Sequence, residues 1–493
     1  MWRSVVFAVF FLFTNTFLMI SADPSPAAES PLISETASAR YGLTRSWFAQ
    51  AEMDPGRSRL SHMVLFDGTL YIQSDRGLVQ ALDAETGAAL WSKQIGQPDY
   101  PSFPLGVGKY LLAVVNGSRL YVLDRRSGEL LQEQLLDGVP GAGPAVSDQH
   151  VYVPLLPETI VAYGFERIRN PGEERQEREK KVAGRGRKAA PALESAAAAS
   201  PETPSLEPPP AATPPPENFR FRPDHRVPPR CQMKGRAVVQ PLILHQSRSE
   251  EFVAWPTDAG CLAVCRLGLP RAESLELRYR LETAAPITVP AAYLPPDPQI
   301  DLEGGLVITA STDGSLTAIL EQNGKLLWRT SLGEPIVTPP AVLGDRVYAA
   351  AQRGGLYCLE VKTGKQEWFA PGALQFVAQS KTRVYASDLI GRLLILDAAN
   401  GARLGMLPTE ALSLKLSNTV SDRIYLASPA GLIQCLHELE QKEPIRYDQA
   451  RHAALAPKIQ QKGIEPSPPK GKQPAPQGSG KKTEEEKNPF EEQ

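Results

Sequence analysis

Short apolar runs, each cut by Gly, Asp or Asn, recur along two stretches of the chain. In the clearest copy, Asp67-Gly68-Thr69-Leu70-Tyr71-Ile72 precedes Gly77-Leu78-Val79-Gln80-Ala81-Leu82-Asp83, then Thr86-Gly87 and Leu90-Trp91. Residues 70–72 and 78–82 have the length and composition of β-strands bounded by turn residues. Asp83 can accept hydrogen bonds from the amides that follow it, and Gly87 can take the positive φ that closes such a turn. The same order returns around Leu123-Asp124, Ile319, Leu359-Glu360, Leu396-Asp397 and Leu436, with weaker copies ending at Tyr163 and Val264. Taking Leu82, Leu123, Tyr163, Val264, Ile319, Leu359, Leu396 and Leu436 as register marks, the spacings are 41, 40, 101, 55, 40, 37 and 40. Eight units follow, with one long insertion and one shorter one.

A β-rich repeat of about 40–45 residues is one four-stranded propeller blade. The fold class expected is therefore all-β: an eight-bladed β-propeller with a disordered insert and tail. The propeller is expected over 41–165 and 231–445, which gives roughly 42 residues per blade. Trp91, Trp328 and Trp368 recur at one repeat position and read as apolar wedges between blades. Trp47 lies 44 residues before Trp91, at the same position but with no unit before it. The last unit, ending near Tyr447, has no Trp strand. Residues 46–50 are thus expected to supply the missing strand of the eighth blade and close the ring.

The remaining segments read differently. Arg3, the apolar runs 5–13 and 17–20, and small Ser21-Ala22 have the layout of a secretory signal over 1–22, followed by a linker over 23–40. Whether the signal is cleaved or kept as an anchor stays open. Residues 166–188 mix charges and 189–229 are rich in Ala and Pro. Such sequence buries too little apolar surface to offset its ordering entropy, so 166–230 is expected to leave the ring as a disordered insert, with room for a short helix at 173–181. A Lys-, Pro- and Glu-rich tail over 446–493 has the same style. Both read as solvated spacers, or as tethers to an anionic envelope surface.

Composition narrows the function. The chain has 493 residues, is 42% hydrophobic and 22% charged, and carries a formal net charge of −2. This excludes a multi-span membrane protein and argues against a dedicated nucleic-acid binder. The six His are dispersed, without metalloprotease spacing, and no phosphate-binding loop or nucleophile elbow occurs. The five Cys are too few for a disulfide scaffold, and none precedes position 231. Cys261 and Cys265, four apart on a strand, lie about 13 Å from each other. Cys358 and Cys435 fall where other units hold Ala81 and Ala318, and read as small core residues. Cys231 is expected to be the most exposed. The catalytic and metal sites expected are none, no cofactor is expected, and cofactor-binding residues stay unknown.

The best copy, Ala81-Leu82-Asp83-Ala84-Glu85-Thr86-Gly87-Ala88-Ala89-Leu90-Trp91, resembles the PQQ-type (quinoprotein-like) β-propeller repeat, and the resemblance covers most of 46–440. That family includes periplasmic PQQ-dependent dehydrogenases and the non-enzymatic BamB propellers of the outer-membrane barrel-assembly machine. The enzymes carry a Ca²⁺ site of Glu, Asn and Asp, and many carry adjacent half-cystines. Here there is no Cys-Cys, and Asp83, Asp124 and Asp397 sit in repeat turns. The resemblance implies an exported, non-catalytic scaffold that is periplasmic or otherwise extracytoplasmic and peripheral to the membrane. Its implied partner is an envelope protein such as a β-barrel assembly subunit. The alternative is a dehydrogenase-like or small-ligand-binding sensor propeller. The lipid-anchor Cys of BamB has no counterpart after the apolar run.

Overall fold

The computed structural model describes residues 32–169, 219–224, 227–247, 249–269, 273–302 and 304–447. All of them fall within the first of two units into which the chain divides, Met1–Leu455. The expected signal lies outside the described residues, as does nearly all of the expected tail.

The described residues form eight antiparallel sheets, six of them four-stranded meanders whose strands pair with their sequence neighbours; blades 3 and 8 depart from this. Blade 1 runs Leu60–Phe66, Thr69–Ser74, Leu78–Asp83 and Ala89–Gln94. First strands of successive blades approach one another, as Gly106–Val107 of blade 2 approaches Ala145–Val146 of blade 3, so they line the centre. The second and third strands are buried on both faces. Leu111–Asn116 is buried at every position, whereas the fourth strand Ala89–Gln94 is exposed at both ends. This is why the middle strands read as unbroken apolar runs rather than as alternation. Each blade buries its faces only against its neighbours, so no blade has a core of its own.

The ring closes as the Trp spacing implies. Leu43–Gln50 pairs with Leu432–Glu438 and forms the outermost strand of blade 8, whose inner strands are Leu414–Lys415 and Ile424–Ala427. Trp47 stands opposite Cys435, as Trp91 stands opposite Ala81 and Trp368 opposite Cys358.

One register mark moves. In blade 4, Val264 pairs with Tyr279, and the bulge follows it, between Val264 and Cys265. In blade 1 the bulge follows Ala81. Val264 therefore occupies the Ala81 position, and Cys265 occupies the Leu82 position. Sequence spacing alone missed this because blade 4 has neither the Asp nor the Trp that anchor the other copies.

Blade 3 departs most. Its third strand, Thr159–Arg169, carries two partners end to end: Phe219–Pro223 at its far end and the three-residue Arg230–Gln232 nearer its start. The expected insert thus begins and ends as a ladder, Arg169 opposite Phe219, and residues 170–218 lie outside the described residues.

Candidate protein-binding face

In blades 1, 2 and 7 the turn after the third strand is built by an Asp. Asp83 Oδ1 accepts from the Glu85 and Thr86 amides at 3.1 and 2.8 Å and from Thr86 Oγ1 at 2.8 Å. Asp124 and Asp397 repeat the arrangement with the amides of 126–127 and 399–400. These carboxylates are committed to backbone amides, which accounts for their recurrence without any catalytic part.

The preceding blade reads that turn. Trp47 Nε1 donates to the Ala84 carbonyl at 3.0 Å, Trp91 to Arg125 at 3.2 Å, Trp328 to Val361 at 2.7 Å and Trp368 to Ala398 at 3.0 Å. Tyr279 does the same through its hydroxyl, to Glu321 at 2.7 Å. In each case the ring lies on the turn glycine of the following blade. At Gly87, where φ is +72°, a Cβ would meet Trp47 at 2.4 Å. The tryptophans are therefore wedges between blades, as their spacing suggests. Blade 7 has Gly405 at this position, and the ring of Tyr41 covers it.

A second set of contacts escaped the sequence reading. The tyrosines of the second strands reach across to the next blade: Tyr152 to Glu251 at 2.9 Å, Tyr348 to Gln379 at 2.8 Å, Tyr385 to Glu438 at 2.7 Å. The recurrent Val-Tyr pair was a signal for them, but their partners follow no pattern. Glu251 is buried and also accepts from Ser147 Oγ at 2.7 Å and pairs with His150 Nδ1 at 3.1 Å. Burial pushes its carboxyl up, but the bonds from His150, Ser147 and Tyr152 outweigh this and hold it below the ordinary range.

A cavity of about 250 Å³ between blades 4 and 5 is lined by His245, Phe252, Arg278 and Glu321, among others. Both oxygens of Glu321 are engaged, by the His245 amide and the Tyr293 hydroxyl, each at 2.7 Å. It is another clasp between blades. Among the described residues no three His, Cys, Asp or Glu side chains stand together to hold a metal ion. Cys231, expected to be exposed, is buried with the other four cysteines. It packs under the blade 4 sheet, a contact made by chain segments far from it in any repeat alignment.

One end of the ring carries bare apolar side chains on its loops. In a four-stranded meander, the second-to-third-strand hairpins and the blade-to-blade crossovers emerge at one end, and the other turns at the opposite end. Tyr100, Val139, Val238 and Val337 lie in crossovers, and Leu389 and Ile390 in the blade 7 hairpin; all are exposed. The opposite end carries the Asp-x-x-Thr-Gly turns and polar hairpins such as 67–68, 148–149 and 381–382; its exposed apolar side chains, Leu90, Leu130, Leu326 and Leu404, stand at the starts of fourth strands, and Leu439 follows the third strand of blade 8. The apolar end is also built firmly. Asn116 at one hairpin binds Gln97, Tyr100 and Ser102 of the adjacent crossover, beside a cavity of about 260 Å³ that reaches Leu135. Leu389 is 83% and Ile390 58% exposed. Their loop is held by Asp388, which accepts from the Ile390 and Arg392 amides at 3.2 and 2.8 Å and from Arg392 Nε at 2.6 Å. Desolvation raises the Asp388 carboxyl, but these bonds prevail and keep it below the ordinary range. Two bare apolar side chains on a fixed loop can dock on a partner without a further ordering cost.

A family model described as "Outer membrane protein assembly factor BamB" matches residues 75–166 and 290–437. Over these residues the chain resembles PQQ-type repeat propellers of the BamB kind. The unmatched stretch between holds the insert and blade 4, where the propeller's repeat pattern is weakest. A curated BamB from Shewanella oneidensis is 23% identical over 176 residues, 30% of this chain and 43% of the relative. The propeller therefore aligns with less than half the length of that relative. The crystal structure of BamB from Moraxella catarrhalis matches with a TM-score of 0.53 at 14% identity, covering 80% of this chain and 97% of that one. The computationally designed Ika8 protein matches at 0.51 and 12% identity, over 78% and 98%. At such identities these likenesses show the fold.

Proposed function

We propose that this propeller is an exported, non-catalytic scaffold of the cell envelope that holds a protein partner during outer-membrane protein assembly. The observation that carries the reading is the match of both halves of the ring to the BamB assembly-factor model. The apolar end supports it, because exposed Leu and Ile on a preorganised loop are what a protein interface uses and what a solvated surface avoids.

The test is affinity capture of the tagged full-length chain from a detergent-solubilised envelope fraction of its source. A β-barrel assembly subunit should be recovered. The double variant L389D/I390D should fold normally and recover at least tenfold less. A second variant should replace residues 170–218 by a two-residue turn, which preserves the ladder between Arg169 and Phe219. It should recover the partner unchanged. Failure of the unaltered chain to recover any such subunit would overturn the reading. Equal recovery by L389D/I390D would remove the apolar end from it.

A further inference from the structure

The fourth strand of blade 3 is the weakest joint of the ring. Arg230–Gln232 pairs over three residues with Thr159–Val161, where other blades have fourth strands of five to eight residues. It has no aromatic clasp either: Pro229, whose carbonyl accepts from the Ala162 amide, stands where blade 1 has Trp91. Cys231 is two residues further on, so its side chain points to the same side, towards blade 4. There its Sγ lies 3.2 Å from Sγ of Cys265, on the third strand of that blade. The two thiols are enclosed by Tyr152, Ile160 and Ala162 of blade 3 and by Val253, Trp255 and Ala263 of blade 4.

We propose that Cys231 and Cys265 close a disulfide bond that fastens blade 3 to blade 4 where the chain re-enters the ring. Two sulfurs in contact need a movement of roughly one ångström to reach the bond length of about 2.05 Å. The reaction is thiol–disulfide exchange with a disulfide donor, a small-molecule one such as glutathione disulfide or a protein carrier. The Cys231 thiolate attacks one donor sulfur, breaks the donor's S–S bond and expels one donor thiolate. Cys265 then loses its proton and attacks Sγ of Cys231, expelling the second. Two protein thiols are oxidised, one donor disulfide is reduced to two thiols, and the two protons pass to those thiols. The order of attack follows from the site. The hydrogen bond from Cys265 draws the Cys231 thiol below its ordinary range against the effect of burial, and the same bond with burial drives Cys265 well above it. Cys265 is fully enclosed while Cys231 keeps a small exposed area, so the donor reaches Cys231 first.

The chemistry does not depend on the envelope reading, although its occurrence in the cell does. The experiment refolds the purified full chain in a glutathione–glutathione disulfide buffer, denatures it with iodoacetamide without reductant, and maps the peptides. Alkylation is expected at Cys261, Cys358 and Cys435 only, with a 231–265 cross-linked peptide that dithiothreitol abolishes. Reduction should lower the unfolding midpoint by several degrees, and should not move that of C231A/C265A. Alkylation of all five cysteines, or a bond from Cys231 to Cys261 instead, would overturn the proposal. The same mapping on chain trapped directly from its source separates the two readings. A bond that forms in vitro and is absent from the cell tells against export and leaves the cysteine chemistry intact.

Discussion

Trp328 shows what one side chain contributes at a blade interface. Its ring lies on Gly364 of the next blade and its Nε1 donates to the Val361 carbonyl at 2.7 Å. Trp328→Ala removes both contacts and leaves a cavity, and should cost about 3–5 kcal/mol. Trp328→Phe keeps most of the packing and loses the hydrogen bond, for about 1 kcal/mol. Equilibrium urea denaturation of the two variants separates the contributions. Glu251 sets a pH dependence in the same way. Its carboxyl is lower in the folded chain than its ordinary value of 4.5, so the unfolded chain takes up the proton first as the pH falls. The stabilisation is complete above that value and is lost as the pH drops through the lower folded one. Glu251→Gln should be less stable than the unaltered chain at pH 7 by about 1–3 kcal/mol. The gap should narrow below about pH 4, where denaturation midpoints measured across the range would show it.

The strand Leu43–Gln50 behaves at the scale of an element as the wedge does at the scale of a residue. Without it, Leu432–Glu438 would present an unpaired edge along seven residues. Deleting residues 32–50 should therefore give a chain that associates with itself in a concentration-dependent way, seen by sedimentation velocity. A synthetic peptide of residues 43–50 should suppress the association. This element was legible from one Trp standing a repeat length ahead of the array, because ring closure leaves a strand over at the start of the chain. The wedge residues were legible for the same reason, since each repeats with the blade. The Tyr–Glu clasps were not, because Glu251, Gln379 and Glu438 meet their tyrosines across an interface whose two sides need not covary in spacing. The Cys231–Cys265 contact was hidden for a further reason. Blade 4 lacks the landmarks that set register, and a one-residue slip turns Cys265 to the other face. The apolar end was also invisible to repeat analysis. Leu389 and Ile390 occur in one hairpin only, and what repeats is by construction what all blades share.

Across the whole ring, stability is a chain of nearest-neighbour interfaces, and blade 8 differs from the other blades in drawing its outer strand from residues 43–50, far ahead of the rest of the blade in the chain. Ile33 donates to the Gln434 side chain, 401 positions away, and Gln50 to the Ala430 carbonyl, 380 away. Seven interfaces can form as the chain lengthens, each between segments made shortly one after the other. The eighth cannot. The segment 43–50 must stay unmated until the final blade has emerged, and the two must then find each other over nearly the full contour. Closure is thus a timed event set by the order of synthesis, and the interval before it is when the half-built ring is most open to mispairing and to helper proteins.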